Sequence, residues 1–279
     1  MLDEAEALPA LLAELRGLGL LGRTIFVDNG SSDGGPEIVR AAGAEVLRER
    51  RRGYGYPCLT GARAAAARGA RAVVFMEADG TDDPSQVPCL VGPVLAGVAD
   101  LAMGSRRRAV RGASAGRMPL HQRRGNDWLA VSLFFWFGLR LSDDGPFRAV
   151  RLDLLERLRL EERAYAFPTE MAVKAHLLGA LIVVRDTRYR PRAGRSKIAG
   201  TWCGTLGAVW DTFWCLFRLR LFGFRPGPWA PLRPSATVAP GASPNTPAGA
   251  GAGFSSPAAH PRPACAPTGP GPPPQEAGT

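Results

Sequence analysis

Two acidic clusters, each closing a short apolar run, hold the residues of this chain best suited to chemistry. Thr24-Ile25-Phe26-Val27 leads into Asp28-Asn29-Gly30-Ser31-Ser32-Asp33-Gly34, and Ala72-Val73-Val74-Phe75-Met76 leads into Glu77-Ala78-Asp79-Gly80. Carboxylates are hard oxygen ligands, suited to a divalent cation that escorts a diphosphate. Glu77 and Asp79 stand two apart, so on a strand that continued past Met76 both would project to one face. Asn-Gly and Asp-Gly are also ordinary turn dipeptides. The signal comes from two such clusters closing two apolar runs of the same kind.

Elements of α/β type must position these acids. Runs of four or five apolar residues bounded by Gly and Asp predict buried strands, and ligands of such sheets sit outside the carboxyl ends of the strands. The pattern predicts a helix over 3–18, with Asp3 as N-cap and Glu6 completing a capping box. Further helices are expected over 35–42, 56–68, 84–95 and 128–137 and after Thr169. Strands are expected at 24–27, 45–47, 72–76, 100–103 and 181–184, with a loop over 142–147. Strands alternating with helices imply a mostly parallel, nucleotide-binding sheet flanked by helices.

With 279 residues, 46% of them hydrophobic, the chain is long enough for a sizeable core. Beyond Arg225 the periodicity ends, and 15 of the 25 prolines fall from Pro226 onward, so 225–279 reads as a disordered tail. The formal charge of +10 comes almost wholly from arginine, since Lys174 and Lys197 are the only lysines. Its densest runs, 48–52 and 106–108, are not interleaved with aromatics, so no nucleic-acid partner is expected. Five scattered cysteines without a Cys-x-x-Cys pair support neither a zinc site nor a disulfide framework. With no signal peptide after Met1, the chain reads as cytoplasmic. Trp128–Leu141 is too short to span a bilayer. Gly204–Phe224 carries Asp211, Arg218 and Arg220, and reads as an interfacial helix at the inner face of the plasma membrane.

The motifs, taken in order, resemble family-2 glycosyltransferases of the GT-A fold. Residues 27–34 resemble the family's Val-Asp-Asp/Asn-x-Ser-x-Asp-Gly signature, and Met76 to Pro84 its metal-binding Asp-x-Asp motif. Gly104-Ser105-Arg106, His121 to Asn126, Asp144 to Ala149, Glu170-Met171 and Arg192 to Ile198 follow in the family's order. The pattern is most similar to the branch of dolichyl- and polyprenyl-phosphate mannosyl- and glucosyltransferases. It covers residues 2 to about 215, with the catalytic domain expected over 1–203.

The resemblance implies an inverting hexosyltransferase that uses a nucleotide-diphosphate sugar, Mg²⁺ or Mn²⁺, and a polyprenyl phosphate or similar lipid acceptor. It places Asp28 on the nucleotide base, with Asp33 in the same signature. Asp79 falls on the metal, and Glu77 beside the ribose or metal in a position where the family has Asp. Arg106, Arg148, Arg192 and Lys197 are the cations expected near phosphates, with Ser196 in the phosphate loop and Glu170 also in the substrate site. An acceptor phosphate is already ionised, so no base is needed; a hydroxyl acceptor would call on Asp143 or Asp144. The resemblance begins only at Leu2-Asp3-Glu4, so the family's first strand is missing. Its loss is expected to open the core and leave backbone groups unpaired. The favoured reading is that Met1 is an internal start; the alternative is a catalytically silent nucleotide-sugar-binding protein.

Overall fold

The computed structural model describes residues 1–105, 120–141, 143–188, 190 and 202–227. The expected tail over 225–279 lies almost wholly outside them. The first half alternates as expected: α1 (Leu8–Gly17), β1 (Ile25–Asp28), α2 (Gly35–Ala41), β2 (Glu45–Arg48), α3 (Gly55–Ala67), β3 (Ala72–Phe75), α4 (Val87–Leu95) and β4 (Leu101–Ser105). The second half adds α5 (Leu120–Phe137), β5 (Arg148–Arg151), α6 (Leu152–Leu158), α7 (Phe167–Leu177), β6 (Ile182–Asp186) and α8 (Trp202–Phe222).

The strands form two sheets. β1 pairs with β2 in parallel, and a four-stranded sheet runs β3-β5-β4-β6. Within the second sheet β4 and β6 are parallel, while β5 runs against both β3 and β4. The expectation of a mostly parallel sheet therefore holds with one reversed strand at its centre. That strand and α6 escaped sequence reading, because Arg148-Ala149-Val150-Arg151 ends in charges at both sides. The register sets Arg148 beside Phe75, so β5 begins where β3 ends.

The break between sheets falls between β1 and β3. Met1 lies along the end of β1: its ammonium donates to Val27 O at 2.7 Å and its carbonyl accepts from Asn29 N at 3.0 Å. The core is divided accordingly. Leu8, Leu11, Leu12 and Leu15 of α1 pack with Phe26 and Val39, and Met76 and Ala78 reach into this cluster from beyond β3. A larger cluster lies under β4, β5, α6 and α7.

Asp3 does not cap α1. Its φ is 46°, and its carboxylate accepts from the amide and hydroxyl of Ser32 at 2.7 and 3.2 Å. The helix starts at Leu8, with Pro9 in its first turn, where a missing N–H costs nothing. Gly55 is needed for packing: a Cβ there would lie 2.7 Å from both Glu162 O and Phe167 Cδ2. Gly55→Ala is expected to cost about 1–3 kcal/mol by overpacking. Gly92→Ala, on a helix with open space around it, should be neutral or slightly stabilising. Thermal melts of the two variants check this pair.

Candidate functional site

The loop after β1 is built by side chains that bind backbone. Asn29 is 7% exposed; its Nδ2 donates to Glu49 O at 3.0 Å and Arg51 O at 2.7 Å, and its Oδ1 accepts from Gly53 N at 3.2 Å. This amide locks the end of β1 to the loop that follows β2. Asp28 is buried and accepts from Ser31 N at 2.9 Å. Burial works against its charged form, but the Ser31 hydroxyl and amide, the Gly30 amide and the Met1 ammonium outweigh it and hold the carboxyl below the usual range.

Asp33 is exposed and spends both oxygens on backbone: Oδ2 accepts from Ala5 N at 2.6 Å and Oδ1 from Gly35 N at 3.0 Å. It ties the segment before α1 to the start of α2, a positioning role that the sequence alone did not suggest. Glu49 accepts from Arg51 Nε at 2.9 Å, Arg51 NH2 at 2.8 Å, the Arg51 amide at 2.9 Å and Thr60 Oγ1 at 2.7 Å. These bonds, led by the guanidinium, hold its carboxyl far below the usual range. The Tyr56 ring lies between two guanidinium groups, with Arg51 at 4.5 Å and Arg163 at 5.5 Å.

The second acidic cluster is a turn, not a strand. β3 stops at Phe75, so the expectation that Glu77 and Asp79 share one face of a continuing strand is corrected. Asp79 is 3% exposed, and its Oδ1 accepts from Thr81 N at 3.0 Å and Thr81 Oγ1 at 2.7 Å. The Glu77 amide donates to Asp82 Oδ2 at 3.0 Å, which closes the turn. Asp83 accepts from Ser85 N and Oγ at 3.0 and 2.6 Å and pairs with Arg190 NH2 at 3.0 Å. Arg190 also binds Glu14 at 2.7 Å, and its amide donates to Thr81 O at 3.0 Å. The Asp83–Arg190–Glu14 group was missed in the sequence, although Asp83 stands within the acidic motif. A cleft of about 140 Å³ opens here between Ala7, Ala10, Glu14, Gly80, Asp82 and Arg190. It is far smaller than the roughly 300–1,000 Å³ of a ligand pocket.

Arg148 heads β5 and is 1% exposed, which corrects its expected place in a loop between helices beside phosphates. Its Nε donates to Gly145 O at 3.1 Å, NH1 to Pro168 O at 2.8 Å, and NH2 to Gly145 O and, at 3.0 Å, to Asp144 Oδ1. The other Asp144 oxygen accepts from Thr169 Oγ1 at 2.5 Å. Arg148 thus fixes the 144–148 loop against α7 and acts through Asp144.

Glu170 is likewise buried, at 0% exposure. It pairs with Lys174 at 2.7 Å and accepts the amides of Glu161 and Glu162 at 2.9 and 2.7 Å, so it pins the 160–163 loop. Its expected place in the substrate site is corrected to a structural one. Tyr54 lies within electrostatic reach of Glu77, Asp82 and Arg148. Burial first, then the nearby Cys58 and Glu77, push its phenol well above the usual value. Burial also pushes the Cys58 thiol up to about 12, which removes it as a nucleophile. Cys58 and Cys215 are free.

Arg106, Arg192, Ser196 and Lys197 lie outside the described residues, as does the side chain of His121. Arg190 and its amide bond to Thr81 bring the chain that leads to 192–197 up to the acidic turn.

A sequence model of glycosyl transferase family 2 matches residues 1–159, more than half of the chain. The chain belongs to this family. A glycosyltransferase of Mycobacterium tuberculosis, itself uncharacterized, is 35% identical over 214 residues, 76% of this chain and 93% of that protein. The undecaprenyl-phosphate mannosyltransferase of Micrococcus luteus is 33% identical over 211 residues, 71% of this chain and 84% of that one. Among solved structures, the glucosyl-3-phosphoglycerate synthase of Mycobacterium tuberculosis in complex with UDP superposes with a TM-score of 0.60 at 21% identity. The match covers 78% of each chain. It establishes the shared GT-A fold; the same enzyme has been solved with UDP and Mn²⁺ or Mg²⁺.

For a glycosyltransferase of family 2, the donor set after β3 can be tested against such an ion. Glu77, Asp79, Asp82 and Thr81 offer oxygens only, the ligand type of Mg²⁺ and Mn²⁺. Among the described residues no group of three or more His, Cys, Asp and Glu is gathered as a ready-made cage.

The depressed Glu49 carboxyl gives this loop a pH signature. Its contribution to stability is complete above the unfolded value of about 4.5 and is lost as pH falls toward the lower folded value. Thermal melts from pH 6 to 3 should show a falling Tm that is shallower in Glu49→Gln, and parallel curves would contradict it.

Proposed function

We propose that this protein is an inverting, divalent-metal-dependent hexosyltransferase that moves a sugar from a nucleoside-diphosphate sugar to a polyprenyl phosphate at the cytoplasmic face of the plasma membrane. One observation supports it above the others: the segment before α1 joins the two acidic loops. Its Asp3 and Ala5 amides donate to Ser31 and Asp33, and Ala7 packs 3.9 Å from the position of a Gly80 Cβ. Carboxylates at the ends of β1 and β3 thereby border a single surface.

On this reading Asp28 accepts from the nucleotide base, and Asn29 and Asp33 hold its loop in place. Glu77 and Asp79 hold the Mg²⁺ or Mn²⁺, which offsets the charge of the departing diphosphate. Arg106, Arg192, Ser196 and Lys197 bind donor and acceptor phosphates, where guanidinium forks match phosphate oxygens. Arg148 positions Asp144 and the start of α7. An acceptor phosphate, with a second pKa near ~6, attacks without a base in a single in-line displacement. The name of the Micrococcus luteus relative supports a polyprenyl phosphate acceptor and a hexose donor. A hydroxyl acceptor fits less well, because both Asp144 oxygens already accept hydrogen bonds from Arg148 and Thr169.

The test is sugar transfer to undecaprenyl phosphate from a panel of nucleotide sugars with Mn²⁺. Asp79→Ala should lower turnover at least about 10²-fold, the scale of several kcal/mol of lost charge stabilisation, and EDTA should abolish it. Equal turnover in wild type and variant would defeat the role given to Asp79, and no transfer by wild type from any donor would leave the silent, nucleotide-sugar-binding reading.

A further inference from the structure

The α5 and α8 helices carry apolar side chains on their outward faces that nothing described in this chain covers. On α8 the stripe is Trp210, Trp214, Phe217 and Leu221, spaced four, three and four apart, so they fall on one face. Trp210 is 60% exposed and Trp214 50%, while Cys215, Leu216 and Leu219 on the other side are buried. On α5, Val131 and Phe135 are 68% and 82% exposed. The two helices pack together, with Trp136 edge-on to Phe213 at 5.9 Å. Phe213 in turn meets Trp210, Trp214 and Phe217 at 5.9–6.4 Å. The aromatic surface is therefore continuous across both helices.

We propose that this surface docks on an anionic lipid bilayer, with the indole and phenyl rings entering the interface. The inference rests on the acceptor class proposed above and names the surface that would bring the enzyme to it. Three observations favour lipid over a second copy of the chain. Exposed tryptophans and phenylalanines beside arginines are the composition of an interfacial helix. Arg140 lies over the Phe134 ring at 5.2 Å, and Arg220 and Arg225 are exposed at the end of α8, which supplies cations at the edge of the patch. Self-association through this face would set these cations, on a chain of net charge +10, against their own copies. No helix among the described residues is long and apolar enough to cross a membrane, so docking here is along the surface. On its inward side α8 sends Arg218 to Glu161 and Glu162 at 3.0 and 2.9 Å. The loop they belong to abuts Gly53 and Gly55 beside the Asn29 clamp, so a docked α8 lies one loop away from the site.

The experiment is vesicle co-sedimentation of the full chain with phosphatidylglycerol-containing and with pure phosphatidylcholine vesicles, with no donor present. Wild type should bind the anionic vesicles with a blue shift of its tryptophan emission, and bind phosphatidylcholine weakly. Phe135→Ser/Trp210→Ser/Trp214→Ser should bind the anionic vesicles at least about tenfold more weakly. Its Tm and its transfer to a short, water-soluble prenyl phosphate should stay unchanged. Equal sedimentation of wild type and variant, or none by either, would overturn the inference. So would light scattering that shows a dimer in wild type and a monomer in the triple variant. Loss of transfer by wild type itself would strike the proposed activity and leave vesicle binding to be judged alone.

Discussion

A guanidinium at 1% exposure, at the head of a reversed strand, sets the geometry on which the rest of the site depends. Burying an unpaired charge is expensive, and removing one partner of such a pair typically costs about 3–5 kcal/mol. Arg148 meets this constraint with Asp144, Gly145 O and Pro168 O, so the 144–148 loop and the start of α7 have one arrangement around it. Because β5 lies between β3 and β4 with Arg148 beside Phe75, that loop is delivered to the mouth of the acidic turn.

The same economy recurs elsewhere. Asn29 and Asp33 spend their polar atoms on distant backbone, while Glu49 and Glu170 divide theirs between backbone amides and a neighbouring cation. Fixed loops cost no reorganisation when charge develops, which is the useful property in a transferase whose chemistry is mainly positioning and electrostatics. Family 2 membership and this arrangement point the same way. Asp28 and Asp79 also accept hydrogen bonds from their own loops, at Ser31 and Thr81, and are the acids that the proposed function places at the donor.

Strands β1 and β3 were legible because short apolar runs rich in β-branched residues and closed by acidic turns have few other readings. Their ends lead into the acids that the proposed function uses. What failed was the assignment of charged residues. Arg148 and Glu170 look like surface cations and anions in sequence, and nothing local marks them as buried partners of Asp144 and Lys174, whose contacts depend on tertiary packing. The four residues of β5 are too short and too polar at their ends to register as a central strand. Asp3 read as a helix cap on local pattern, yet the competing amide of Ser32 on a distant loop takes its carboxylate. The pairing of Met1 with Val27 and Asn29 was not legible in the sequence.

The central claim is that the carboxylates after β1 and β3 serve one nucleoside diphosphate and its cation. A crystal of this protein soaked with Mn²⁺ and UDP or GDP, with data collected at the manganese absorption edge, tests it most directly. The account predicts an anomalous peak within coordination distance, about 2.0–2.6 Å, of an Asp79 or Glu77 oxygen, with the base against Asp28. A nucleotide bound elsewhere, or bound here with no ion between the diphosphate and these acids, would contradict it.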